Sequence, residues 1–168
     1  MTKLHVIIGL PGVGKSRLVD ELEKSVLNPF IYSTDSYIET RAKWLKSTYD
    51  KEFTDNIKIA TSLMNDRLIS AIKYSKQIIW DQTNLSSKKR RSIMNSVPET
   101  YTKIGYCILP PFSTEEMLEW NRRLDSREGK TIPKHIMTSM MGSYQTPSLD
   151  EGFDRLYFYN MYGVLQNA

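Results

Sequence analysis

Apolar residues along this chain fall into two periods. Lys3 to Ile8 is a short β-branched run closed by Gly9, which predicts a buried parallel strand. Lys15 to Ser25 follows, with Leu18, Val19, Leu22 and Val26 at the spacing of one helix face, and Asn28-Pro29 ends it. Phe30 to Ser33 reads as a second strand and Ser36 to Lys46 as a helix. Asn56 to Tyr74 carries Ile57, Ala60, Met64, Leu68, Ala71 and Ile72 on one helical face. A third strand covers Gln77 to Trp80, closed by Asp81, and a short basic helix covers Ser86 to Met94. Tyr101 to Leu109 is a fourth strand, Thr114 to Leu124 a helix capped by Thr114, and another helix begins at Pro133. Leu156 to Tyr159 reads as a last strand. Strands alternating with helices predict one α/β domain over 1–168, a parallel sheet of about five strands covered on both faces.

Composition narrows the classes without choosing among them. The 168 residues are 40% hydrophobic and 25% charged, ordinary for one globular domain. No apolar run is long enough to cross a bilayer, and no charged-then-apolar leader precedes the first strand. Cys107 is the single cysteine, so no intramolecular disulfide forms and a reducing cytoplasm is expected; within an apolar run it reads as a buried inert thiol. The net charge of +4 suits a phosphate-rich partner and is weak evidence alone.

The chemistry begins at Gly9-Leu10-Pro11-Gly12-Val13-Gly14-Lys15-Ser16, a full G-x-x-x-x-G-K-[ST] between a strand and a helix. Its glycines let main-chain N–H groups approach phosphate oxygens, and the following helix points its positive end at the same anion. Lys15 supplies a mobile cation for the β- and γ-phosphates and Ser16 a hydroxyl for Mg²⁺. The predicted nucleotide site is Gly9, Pro11, Gly12, Val13, Gly14, Lys15, Ser16 and Arg17, joined by Arg123 and Arg127. No guanine-reading N-K-x-D occurs, so ATP is the expected donor, and Asp20 reads as a solvated position.

Open α/β sheets bind ligands beyond the carboxyl ends of their strands, where Asp35 and Asp81 stand. With both strands flanking the first, their tips meet the phosphates. Asp35 is the candidate base for an acceptor hydroxyl, its plainer reading being the cap of a helix starting at Ser36. Asp81 is a candidate holder of metal-bound water, or simply a turn residue before Thr83-Asn84. Arg123 and Arg127 lie four apart on one helix face; they read as a lid over the transferring phosphoryl group, or as a solvated helix end.

Together these residues resemble the kinase domain of phage and animal polynucleotide kinases and the small P-loop kinases around it. Ser33-Thr34-Asp35-Ser36-Tyr37 looks like the segment bearing that family's base. Asp81-Gln82-Thr83-Asn84-Leu85 with Lys89-Arg90-Arg91 is similar to its D-x-T-N segment and basic helix. Arg123, Arg127 and Gly129-Lys130-Thr131-Ile132-Pro133 resemble its lid, here about 122–142, and Pro147 to Phe153 its closing P-x-x-x-E-G-F. The resemblance implies Lys15 and Ser16 at phosphates and metal, Asp35 as base, Asp81, Thr83 and Asn84 near the acceptor, and Arg123 and Arg127 clamping phosphates, without a phosphatase domain. It departs at Ile38, where the phage enzyme carries an arginine that grips the phosphate beside the acceptor hydroxyl; Arg41 is the nearest substitute.

Several acceptors remain open: the 5′-hydroxyl of a polynucleotide, with DNA foremost; 5-hydroxymethyluracil within DNA, with Ile38 lining the base pocket; or a small molecule. A fourth reading is a P-loop ATPase or nucleotide-dependent binding module. His5 reads as a packed side chain, Trp44, Trp80 and Trp120 as core or rim, Met137, Met140 and Met141 as core, and Tyr157 to Tyr162 as a packed final strand.

Overall fold

The computed structural model describes residues 1–127 and 130–166, so Glu128 and Gly129 of the predicted lid lie outside it. Six strands form one sheet in the order β2-β3-β1-β4-β5-β6: β1 (Lys3–Ile8), β2 (Phe30–Tyr32), β3 (Ile78–Asp81), β4 (Thr102–Ile108), β5 (Arg155–Tyr159) and β6 (Leu165–Gln166). The first five strands are parallel to their neighbours, and β6 turns back antiparallel to β5. This sixth strand was not predicted: two residues are too few to show a period. One expectation on topology is corrected. β3 alone lies between β2 and β1, so the second strand does not flank the first.

Alternation along β1 builds the two cores. Leu4, Val6 and Ile8 face a layer with Met64 and Leu68 of α3 (Tyr49–Lys73) and Ile93 and Met94 of α4 (Ser87–Asn95). Ile7 faces the other layer, with Leu18, Val19 and Leu22 of α1 (Lys15–Ser25) and Trp120 of α5 (Thr114–Asp125). The remaining helices are α2 (Thr34–Leu45) and α6 (Lys134–Ser143).

Helix ends explain most boundary differences. Ser33, not Asp35, caps α2, its Oγ accepting from the Ser36 backbone N–H at 3.3 Å. Ser113 rather than Thr114 caps α5, in a reciprocal capping box with Glu116. α3 begins at Tyr49, well before Asn56, because its first turns hide polar residues: Glu52 and Asn56 are buried and break the apolar stripe. Arg41 donates to Glu52 at 2.9 Å, and Asn56 donates to the same carboxylate at 3.0 Å.

Trp44 is 80% exposed on α2, against the expectation of core or rim. Trp80 and Trp120 are buried as expected, Met137 and Met140 pack partly against the core, and Met141 is exposed. His5 is buried between Tyr106 and Gln77, and burial pushes the Cys107 thiol up to about 11. Among the described residues, no helix is long and apolar enough to cross a membrane.

Candidate active site

The loop between β1 and α1 is held from two sides. Gly9 N–H donates to the Thr83 carbonyl at 3.0 Å, and Trp120 Nε1 donates to the Pro11 carbonyl at 2.7 Å. Gly14, at φ 107°, adopts a left-handed conformation at the start of α1. A Cβ on Gly9 would stand 3.0 Å from Val13 Cγ2 and 3.2 Å from the Ile108 carbonyl oxygen, so the close turn requires glycine there. Val13 is buried beneath the loop, and Ser16 is exposed at its helical end.

Lys15 folds back over this loop, its Nζ donating to the Leu10 carbonyl at 2.8 Å. Burial pushes its pKa down to about 8; the Asp81 and Asp35 carboxylates pull it up, while Arg127 and Lys130 push it further down. Asp81, at the tip of β3, is raised chiefly by burial and held back by Lys15. Ser33 Oγ donates to Asp81 Oδ2 at 3.4 Å, so the β2 and β3 tips still meet although β2 is one strand removed.

Asp35, in the first turn of α2, keeps a half-exposed side chain. Tyr49 at the start of α3 donates its hydroxyl to Asp35 Oδ1 at 2.8 Å. Lys130 approaches Asp35 Oδ2 at 3.4 Å, pairs with Glu39, and lies 4.2 Å above the Tyr49 ring. Neither Tyr49 nor Glu39 was predicted, and Lys130 was read only as part of the lid. Their hydrogen bonds join positions far apart in the sequence, a relation no local spacing shows.

The two lid arginines do different things. Arg123 donates to Glu119 at 2.7 Å and to the Met161 carbonyl at 3.0 Å, with Nη1 3.7 Å from a Cβ built on Gly14. Arg127 shares the electrostatic surroundings of Lys15, and its Nη1 is shielded from solvent without a hydrogen-bond partner among the described residues. A buried, unpartnered guanidinium N–H beside a glycine cradle fits a phosphate oxygen.

Four predicted site residues have side chains engaged by other parts of the chain. Ile38 is 0% exposed, so its side chain belongs to the interior and lines no acceptor pocket. Arg41 is engaged by the buried Glu52. Arg17 pairs with Glu21 and packs over Gly163. Asn84 is buried, with Nδ2 donating to the Ile7 carbonyl at 2.7 Å and the Gln82 carbonyl at 3.2 Å. It ties the β1 and β3 tips together at a positive φ of 49° that asparagine tolerates, while its Oδ1 has no partner among the described residues. Thr83 contributes through its carbonyl to Gly9.

A strand-loop-helix phosphate cradle on a parallel sheet, with acids beyond neighbouring strand tips, defines a P-loop kinase. The chain belongs to the family described as AAA domain, whose model matches residues 4–147. It is 26% identical over 156 residues to an L-seryl-tRNA(Sec) kinase of Methanococcus maripaludis, covering 90% of this chain and 56% of that protein. The chain thus spans little more than half the length of that relative. A putative kinase from Chloroflexus aurantiacus shares its fold, with a TM-score of 0.62 at 16% identity over 95% of this chain and 85% of that one. A chain of the Pnkp1/Rnl/Hen1 RNA repair complex does too, with a TM-score of 0.61 at 19% identity over 84% of this chain and 43% of that one.

The family implies ATP and typically Mg²⁺. The residues fit both: the loop and the unpartnered Arg127 N–H suit a triphosphate, and Ser16 with Asp81 offers oxygen donors for the cation.

Proposed function

We propose that this protein transfers the γ-phosphate of ATP to a hydroxyl carried on nucleic acid, foremost the 5′-hydroxyl of a polynucleotide. The observation that carries the reading is Asp35, an exposed carboxylate fixed by Tyr49 within the electrostatic reach of Lys15. A module that only binds nucleotide needs no acid positioned for an acceptor.

Each side chain then has a task. Lys15 leaves the Leu10 carbonyl for the β- and γ-phosphates, and Arg127 offers its unpartnered N–H to an equatorial oxygen. Arg123, beside Gly14, braces the loop and faces the same anion. Ser16 and Asp81 would hold Mg²⁺, which would supply charge neutralisation for the phosphates. The acceptor oxygen forms its bond to the γ-phosphorus as the bridging β–γ P–O bond breaks. Its proton passes to Asp35, and ADP leaves.

Three observations favour a polyanionic acceptor. The relative above is named for a tRNA substrate, and one solved neighbour is a fungal RNA kinase. The chain carries a net charge of +4. Helix α4, which follows the loop after β3, also bears Lys88 and Arg91 on one face with Ser92 and Asn95. Solved sugar kinases share the fold as well, so the fold alone does not select the acceptor. The burial of Ile38 withdraws the apolar-pocket argument for a hydroxymethylated base.

Replacing Asp35 by Asn tests the reading. Transfer to a 5′-hydroxyl oligonucleotide should fall by about two to four orders of magnitude with ATP affinity kept. Ser33 caps the helix, so folding stability should hardly change. Transfer at the wild-type rate would exclude Asp35 as the base.

A further inference from the structure

Asp35 is held by a device on separate elements. The Tyr49 hydroxyl, from α3, donates to Oδ1 at 2.8 Å. Lys130, from the lid side, faces Oδ2 at 3.4 Å while its ammonium covers the Tyr49 ring at 4.2 Å. Lys130 also pairs with Glu39, one turn along α2 from Asp35. The Tyr49 ring packs in turn against Phe53, with centroids 5.8 Å apart, so the phenol is braced before it reaches the carboxylate.

We propose that Tyr49 is the positioning residue for the acceptor base: its hydroxyl fixes one Asp35 oxygen so that the other faces the incoming hydroxyl. This inference rests on Asp35 being that base. A carboxylate on an exposed first helical turn samples several rotamers, and a donor on one oxygen selects among them. Burial and the Asp35 charge both push the Tyr49 pKa upward, so the phenol remains a donor through the pH range of phosphoryl transfer. Lys130 occupies the second oxygen from the lid side and must yield it to an acceptor, which joins lid position and base in one cluster.

The test is a double-mutant cycle of Tyr49→Phe and Asp35→Asn, removing only a hydroxyl in one arm and only a charge in the other. Single-turnover transfer from γ-labelled ATP is read on 5′-hydroxyl DNA and RNA oligonucleotides. Hydrolysis of ATP to ADP and phosphate without acceptor is read in parallel, since water presents the same kind of proton to the base. Tyr49→Phe should lower the transfer rate about tenfold or more, the loss expected of one charge-assisted hydrogen bond, with KM for ATP and the thermal midpoint unchanged. In the Asp35→Asn background the same substitution should have almost no further effect. A wild-type rate in Tyr49→Phe beside a crippled Asp35→Asn overturns the positioning role and leaves the base intact. Equal losses in both backgrounds overturn it too, because Tyr49 would then act independently of Asp35. An active Asp35→Asn enzyme overturns the base assignment itself.

Discussion

Arg90 and Glu151 meet in the interior through two hydrogen bonds of 2.6 Å, with side chains 0% and 3% exposed. The pair joins α4 to the turn before β5. Arg90 also donates to the carbonyls of Asn84 at 3.1 Å and Leu85 at 2.6 Å, so it fixes the loop whose Thr83 carbonyl holds Gly9. The segment before the last parallel strand is thereby linked to the phosphate loop through three hydrogen-bonded steps.

Removing one member of this pair leaves a buried charge without compensation. Glu151→Ala should destabilise the fold by about 3–5 kcal/mol, read from denaturant midpoints at constant m-value. The double variant Arg90→Met/Glu151→Leu should regain most of that stability yet remain less active, because the Asn84 and Leu85 carbonyls lose their donor. Full activity in the double variant would separate the pair from the phosphate loop.

Ile38 gives a second stability test. An arginine at that position would stand where the phage enzymes carry theirs, but the side chain enters a site with no solvent exposure. Ile38→Arg should cost about 4 kcal/mol or more and fail to improve KM for 5′-hydroxyl DNA. A stable variant with lower KM would show that α2 can turn this position toward an acceptor.

Lys15 predicts a pH dependence. Its pKa near 8 means that part of the population is neutral in mildly alkaline solution, whereas a bound triphosphate favours the charged form. Binding ATP should therefore take up roughly half a proton or more at a pH of about 8.5, and affinity should fall as pH rises above about 8. For folding the sign is opposite: between about 8 and the ordinary 10.5 the unfolded chain binds more protons, so this group's contribution to stability rises with pH. Calorimetry in buffers of different ionisation enthalpy measures the uptake, and Lys15→Met should abolish it. No uptake in the wild type would contradict a depressed Lys15.

The lid should depend on guanidinium geometry. Arg127→Ala is expected to lower kcat by about 10²–10³, as removal of a donor to developing charge does. Arg127→Lys should be nearly as damaging, because an ammonium does not reproduce a planar fork. A Lys variant with wild-type kcat would show that positive charge alone suffices.

The strand-loop-helix start, the alternating strands and the position of Asp35 beyond β2 were readable in the sequence because each rests on local spacing or on a strand end. What escaped it depends on distant partners. Glu52 and Asn56 look like solvated positions until Arg41 and Asn56 are both seen to donate to the Glu52 carboxylate, which is why the first turns of α3 were missed. Asn84 looks like a ligand-facing amide, yet its donors close the gap between β1 and β3. Trp120 reads as core, and only its bond to Pro11 reveals it as a prop for the phosphate loop. Tyr49 carries no motif at all; the approach of α3 to the start of α2 gives it a role.

The most direct measurement is transfer of labelled γ-phosphate to a panel of acceptors: 5′-hydroxyl DNA, 5′-hydroxyl RNA, end-blocked DNA containing 5-hydroxymethyluracil, and free nucleosides and sugars. The account predicts label on the 5′-hydroxyl polynucleotides, with apparent affinity falling steeply as salt rises because phosphate contacts release counterions. Label confined to free nucleosides or sugars, with no salt dependence, would contradict a nucleic-acid acceptor.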